Sequence, residues 1–251
     1  MLPDFRGLAV ALIAAHFLAD FVFQTRKTAE NKTNILVLLK HALLVSVTSY
    51  LLCGTWRLWI LPLAIFLGHA ILDFIKSRIK VRLLFVFIID QVLHIAFLIA
   101  LSIWVSEQFS FELYWVILFG DIWTRLLIIL AGAIAEIQAG STIIGIAVEP
   151  FLMEIARQGD SSLPGEVGLP RGFKKGGKLI GQLERAIIFL LVLAGHPEGV
   201  GFLIAAKSIF RFGGIKDIKQ RLEAEYIIIG TFMSFGYGLF IAFLTRYFLN
   251  V

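Results

Sequence analysis

The sequence predicts an all-α fold, a polytopic transmembrane helical bundle of six to eight spans, and three observations predict it. The chain of 251 residues is 59% hydrophobic with a mean hydropathy of +0.87, whereas a soluble domain is about 45–50% apolar. Apolar stretches of the length that crosses a ~30 Å hydrocarbon core, about 20 helical residues, recur along the whole chain. Basic residues gather between alternate stretches, the bias carried by loops on the cytosolic side of a membrane.

Spans are expected near 5–24, 34–53, 57–76 and 83–105, followed by a longer apolar region over 122–154. The first carries His16 and Asp20 and lacks a small-residue cleavage site, so it reads as a retained helix and not a signal peptide. The insert "ARQGDSSLPGEVGLPRGFKKGG" is rich in Gly, Pro and charge and reads as a loop. Two shorter pieces, near 179–195 and 198–211, are joined by "GHPEG" as a tight hairpin or a re-entrant pair, and a last span lies near 225–249. Arg26, Lys27, Lys32 and Lys40 follow the first span, and Lys76, Arg78, Lys80 and Arg82 the third. Those loops and the insert are therefore expected in the cytosol and the N-terminus outside. The expected division is a four-helix unit over 1–105, an outer loop and long membrane region over 106–154, a cytosolic basic loop over 155–178 and a C-terminal membrane unit over 179–251. In such a protein the net charge of +5 and pI near 9.4 suit loops facing anionic lipid and argue against nucleic acid. The lone Cys53 excludes an intrachain disulfide or a thiolate cluster.

Ionisable side chains inside spans cost roughly 2.5–3.5 kcal/mol each on insertion scales, so they mark function or pairing. Here they are patterned. His16 and Asp20, His69 and Asp73, and Asp90 and His94 are i, i+4 pairs that each face one way, and His41 opens the second span. At ~1.5 Å per residue Asp20 lies ~9 Å from Arg26, Asp73 ~5 Å from Lys76 and Asp90 ~12 Å from Arg82. Spans one and three run inward and spans two and four outward, so all seven fall in the cytosolic half. "HFLADF" at 16–21 and "HAILDF" at 69–74 also suggest a duplicated two-helix hairpin, repeated in parallel. Imidazole and carboxylate without thiolate suit zinc, manganese or iron. Seven candidates exceed the four ligands of a tetrahedral ion, so the expectation is one divalent ion with outer carboxylates, or two ions. The competing reading is interhelical glue in which His and Asp bond to each other. Gln24, Gln91 and Lys76 border the cluster and are candidates for orienting substrate or steadying developing negative charge.

The stretches "AHFLADFVFQTRKTAENK", "KHALL", "GHAILDFIKSR" and "FIIDQVLH" resemble, in the same order, a bacterial inner-membrane family known as domain of unknown function 3307. The tail "GKLIGQLERAIIFLLVLAGHPEGVGFLIAAKSIFRFGGIKD" with "AEYIIIGTFMSF" resembles the C-terminal extension of many of its members. The resemblance implies a multi-pass protein of the bacterial inner membrane. Locally, "GHAILDFIKSR" is similar to the membrane-bound metal-dependent hydrolases, whose HxxLD element implies metal ligation by His69 and Asp73.

In the C-terminal half Arg185, Lys207 and Arg211 are candidates for gripping a phosphate or carboxylate, with Glu184 pairing with Arg185. Long basic side chains near helix ends also snorkel to headgroups. Glu136 in "AEIQAGSTIIG" is either buried or part of a Gly-broken helix lining a cavity. No GxxxxGK, HExxH or GxSxG motif is present. The leading expectation is a membrane-embedded hydrolase with one or two zinc, manganese or iron ions near the cytosolic leaflet, acting on an anionic lipid or lipid-linked phosphate. Asp20 or Asp90, where not a ligand, would be the general base. The alternatives are a metal-ion or proton transporter using the same cluster, and a non-catalytic membrane partner. Expected partners are membrane lipid and a lipid or small-molecule substrate, with homo-oligomerisation left open.

Overall fold

The computed structural model describes residues 5–79, 83–158, 176–209 and 218–250, and among them every regular element is a helix. Helix α1 (Phe5–Leu18) runs into a π turn (Ala19–Phe23). A short α2 (Arg26–Glu30) follows, capped by the Thr25 hydroxyl, which accepts from the Thr28 N–H at 3.2 Å. Asn34 caps α3 (Ile35–Cys53) in the same way, accepting from the Leu36 N–H at 2.9 Å. Gly54 ends α3 at φ 65°, the left-handed conformation that favours glycine. Then come α4 (Ile60–Ser77), α5 (Leu84–Gln108), α6 (Tyr114–Phe119) and α7 (Asp121–Ile134). A second π turn (Ala135–Ala139) leads into α8 (Gly140–Gln158), and α9 (Gly176–Leu193), α10 (Gly199–Ile209) and α11 (Ile218–Asn250) complete the chain.

Six segments among the described residues are long and apolar enough to cross a membrane: Phe5–Phe23, Ile35–Cys53, Ile60–Ser77, Leu84–Gln108, Asp121–Glu154 and Glu225–Asn250. The short pieces expected near 179–195 and 198–211 become α9 and α10. With 11 residues, α10 is half a crossing, and Gly195 at φ 87° turns the chain between the two. The pair is therefore a helical hairpin.

The chain forms two compact units, Met1–Ile134 and Ala135–Val251. The division falls inside the fifth candidate span and not at the polar insert, most of which lies outside the described residues. In the first unit α1 is central and packs against α3, α5 and α7. Its buried face of Leu8, Ala11, Leu12, Ala14 and Ala15 is rich in small residues that let neighbouring helices approach. Below the polar cluster the core continues through Val45, Leu61, Ile65, Leu98 and Val105. The other end of this unit is aromatic: Tyr50, Trp56, Trp59, Trp115 and Trp123 are in ring contact, and the Trp115 indole N–H donates to the Leu51 carbonyl at 2.7 Å. Such a belt belongs at a membrane–water boundary. In the second unit α11 packs on both α8 and α9, and α9 packs on the π turn.

Candidate metal centre

All seven expected ligands come to one end of the first unit, because each helix contributes from the same end of the bundle. His16 and Asp20 close α1, His41 stands in the second turn of α3, His69 and Asp73 lie toward the end of α4, and Asp90 and His94 lie in the first turns of α5. The side chains of His16, His41, His69, Asp73 and His94 are at most 3% exposed, and those of Asp20 and Asp90 at most 8%. Asp20 sits on the π turn, which the Gln24 N–H closes by donating to the Ala19 carbonyl at 2.9 Å. The extra residue of such a turn changes which side chains share a face, and π turns recur at functional sites. In "HAILDF" the backbone stays α-helical, so the two similar stretches differ locally.

The spacing of the ligand atoms is that of a coordination sphere. Two nitrogens held at 2.0–2.1 Å by a tetrahedral ion lie about 3.3–3.4 Å apart. His41 Nε2 and His69 Nε2 are 3.2 Å apart, and Asp20 Oδ1 lies 3.1 and 3.6 Å from them. On the same imidazole pair Asp73 Oδ2 lies at 3.8 and 3.4 Å. Either aspartate thus completes a three-ligand face. Three overlapping groups have ligand atoms within 4.8 Å of one another: His16, Asp20 and His69; His41, His69 and Asp73; and Asp73, Asp90 and His94. The imidazole rings form a contiguous set, with His69–His94 centroids 4.5 Å apart and His16–His94 stacked at 5.1 Å.

Two side chains carry the strongest indication of a ligand. His94 Nδ1 donates to the Asp90 carbonyl at 2.8 Å, which fixes the tautomer and leaves Nε2 as a bare lone pair, buried with no hydrogen-bond partner among the described residues. That is how ligating histidines are commonly held. Both ring nitrogens of His16 are also buried without a hydrogen-bond partner among the described residues. A structural glue would satisfy these atoms, since a buried unpaired polar group costs about 1–3 kcal/mol.

The bordering residues reach the cluster. Gln24 Nε2 lies 2.8 Å from His41 Nε2, the Gln91 amide donates to Asp90 Oδ2 at 3.0 Å, and the Lys76 ammonium bonds the same oxygen. Sequence reasoning missed Lys32, reading it only as one more cytosolic cation. It lies in the linker between α2 and α3, is 8% exposed, and places Nζ 2.7 Å from Asp73 Oδ2. Its place in "AHFLADFVFQTRKTAENK", beside the cluster's own residues, was the available signal.

The second unit holds a separate polar core. The Arg185 guanidinium donates to the carbonyls of Glu136 (2.8 Å) and Ile137 (3.2 Å) in the π turn and to the hydroxyls of Ser234 (2.8 Å) and Ser141 (2.6 Å). Glu184 does not take Arg185 as expected; it takes Lys207, with Nζ 2.7 Å from its carboxylate. Lys207 lies within reach across the α9–α10 hairpin, whereas Arg185 points at carbonyls of the π turn. Of the three expected anion-binding residues, Arg185 and Lys207 thus have these partners inside the protein, and Arg211 lies outside the described residues. Glu136 is wholly buried on the π turn, and both its carboxyl oxygens lack a hydrogen-bond partner among the described residues. In the α9–α10 turn His196 bonds Glu198 at 3.1 Å. The Glu198 carboxyl is held below its ordinary value by its own backbone N–H and then by His196.

Residues 8–119 match the family model described as a protein of unknown function (DUF3307). The matched stretch contains all seven ligand-type residues together with Gln24, Lys32, Lys76 and Gln91, so the whole centre lies inside it. It ends at residue 119, and the tail that resembles the family's extension falls beyond it. No curated protein and no solved structure matches the chain.

Proposed function

We propose that the first unit is a membrane-embedded, metal-dependent hydrolase of the bacterial inner membrane that acts on an anionic lipid or lipid-linked phosphate. The observation that carries this reading is the set of ligand atoms from four helices at coordination spacing, with His94 Nε2 bare and oriented by its own backbone bond. An imidazole offers one nitrogen to one ion, but a carboxylate can bridge two. His69 and Asp73 each belong to two of the three ligand groups found among the described residues, so this donor set would be large enough to hold one ion or two.

A bound zinc, manganese or iron ion would supply a water that is nucleophilic at neutral pH and would polarise the scissile phosphoryl or ester oxygen. This chain's residues do the rest. Asp20 or Asp90, whichever is not a ligand, would be placed to accept a proton from water at the centre, and Gln24 and Gln91 would orient the groups they touch. Charge favours an anionic substrate: with neutral imidazoles, three aspartates against Lys32 and Lys76 leave one net negative charge, and a divalent ion reverses it. Exposed Arg26, Lys27, Lys40 and Arg78 surround this end of the bundle, which supports a cytosolic location for it.

Purified in detergent without chelator, the full chain is expected to carry about one or two equivalents of a divalent metal. It should cleave a phosphate ester only in that form, and Asp73→Asn should lose both properties. Less than about a tenth of an equivalent across preparations would overturn the reading. Metal flux through liposomes that disappears in Asp73→Asn, with no hydrolysis in wild type, would establish transport instead.

A further inference from the structure

We propose that the cleft between α4 and α5 is a lateral portal that takes the acyl chain of a phosphate-bearing lipid, with Lys76 meeting its headgroup. The proposal rests on the hydrolase reading for the headgroup's fate, and it names where such a substrate enters. Leu72, Ile75 and Lys76 on α4 and Ile89, Asp90 and Leu93 on α5 line it, at i, i+3, i+4 spacing on α4 and i, i+1, i+4 spacing on α5. The cleft holds about 150 Å³. An aliphatic cavity of that size admits a benzene ring, so about six carbons of a chain fit. Ile75, Ile89 and Leu93 are 41–56% exposed, so in a bilayer the cleft opens sideways to lipid and not to water.

Its inner wall makes it more than an ordinary lipid-facing groove. Asp90 is both a wall of the cleft and a member of the ligand group with Asp73 and His94. Lys76, in the last turn of α4, is placed where lysines usually snorkel outward. It turns into the cleft and bonds Asp90 with its side chain one-third exposed. Once Asp90 is engaged by an ion, that ammonium is left for a phosphate, at the point where the apolar cleft meets the centre. A lipid lying in the cleft would therefore bring its phosphate to the metal ligands without leaving the membrane, and a free phosphate would have no use for the apolar walls.

The test uses the full chain in phosphatidylcholine vesicles containing a phosphatidic acid with a photoactivatable group on its acyl chain. Cross-links are mapped by mass spectrometry and metal content is measured on the same samples. Labelling is expected to concentrate at Leu72, Ile75, Ile89 and Leu93 and to be competed by unlabelled phosphatidic acid. Leu93→Trp and Ile75→Trp should each reduce it to the level of other lipid-facing positions such as Leu43, with metal content unchanged. Lys76→Gln should weaken competition by phosphatidic acid about tenfold or more, the effect of losing a charged hydrogen bond. Labelling spread evenly over lipid-facing positions, or unchanged in both Trp variants, overturns the portal, as does equal competition by phosphatidylcholine. A wild-type protein that binds no metal yet labels at the cleft would sink the hydrolase and leave the lipid site standing.

Discussion

Replacing Asp73 by asparagine separates a metal ligand from a structural ion pair. In the structure Asp73 is 1% exposed and Lys32 9% at the side chain, with Nζ and Oδ2 2.7 Å apart. Asp73→Asn leaves a buried ammonium without a counter-charge, and breaking such a pair from one side costs about 3–5 kcal/mol. Replacing both partners by neutral groups is often close to neutral. Lys32→Met combined with Asp73→Asn should therefore recover most of the loss, a coupling of about 2–3 kcal/mol. Unfolding in detergent can be followed by tryptophan fluorescence, since Trp56, Trp59, Trp104, Trp115 and Trp123 all lie in the first unit. Metal content must behave differently from stability: it should fall in Asp73→Asn and stay low in the stable double variant. A single variant within about 1 kcal/mol of wild type would refute the ion pair, and a metal-replete double variant would refute ligation by Asp73.

Three further substitutions probe other parts of the argument. His94→Ala should lower divalent-metal affinity by more than the roughly 10–100-fold lost with an outer-sphere partner, measured by competition with a chromophoric chelator; unchanged affinity would remove α5 from the centre. A Cβ at Gly68 would overlap the Phe97 ring, so Gly68→Ala should destabilise the first unit by about 1–3 kcal/mol through overpacking, read by thermal unfolding, and should weaken metal binding by shifting α4 against α5. Arg185→Met removes four hydrogen bonds. At about 1 kcal/mol or more each this should cost roughly 4 kcal/mol, seen as faster proteolysis within residues 135–251 while the tryptophan signal of the first unit is unchanged.

How much of this was legible follows from the range of each signal. The spans were readable because hydropathy and length are local, and α1 with its π turn, α3, α4 and α5 begin and end within a few residues of expectation. The meeting of His16, Asp20, His41, His69, Asp73, Asp90 and His94 was readable because helical spacing and membrane depth together fix both face and level. Lys32 was harder to read, since it reaches Asp73 from the linker between α2 and α3 and its only local mark was its place beside His16 and Asp20 in one stretch. The π turns were hidden for a related reason. An inserted residue leaves no compositional mark, yet it is on such a turn that Arg185 meets the carbonyls of Glu136 and Ile137, while Glu184 takes Lys207.

Lys32 and a divalent ion would make the same demand on Asp73, and the lysine pairings explain how three aspartates can be buried in one membrane unit. An unpaired carboxylate in low dielectric costs several kcal/mol. With Lys32 on Asp73 and Lys76 on Asp90, two of the three are neutralised by the chain itself, and Asp20 lies 3.1 Å from His41. The bundle can then fold before any ion arrives, unlike a zinc finger whose folding free energy is the metal's. On the metal-dependent reading proposed above, an ion would enter by exchange for ammonium groups, and each lysine so displaced would be left beside the centre as a cation. Loading would then turn a core with one net negative charge into one that attracts anions, which would link the occupancy of the site to its choice of substrate.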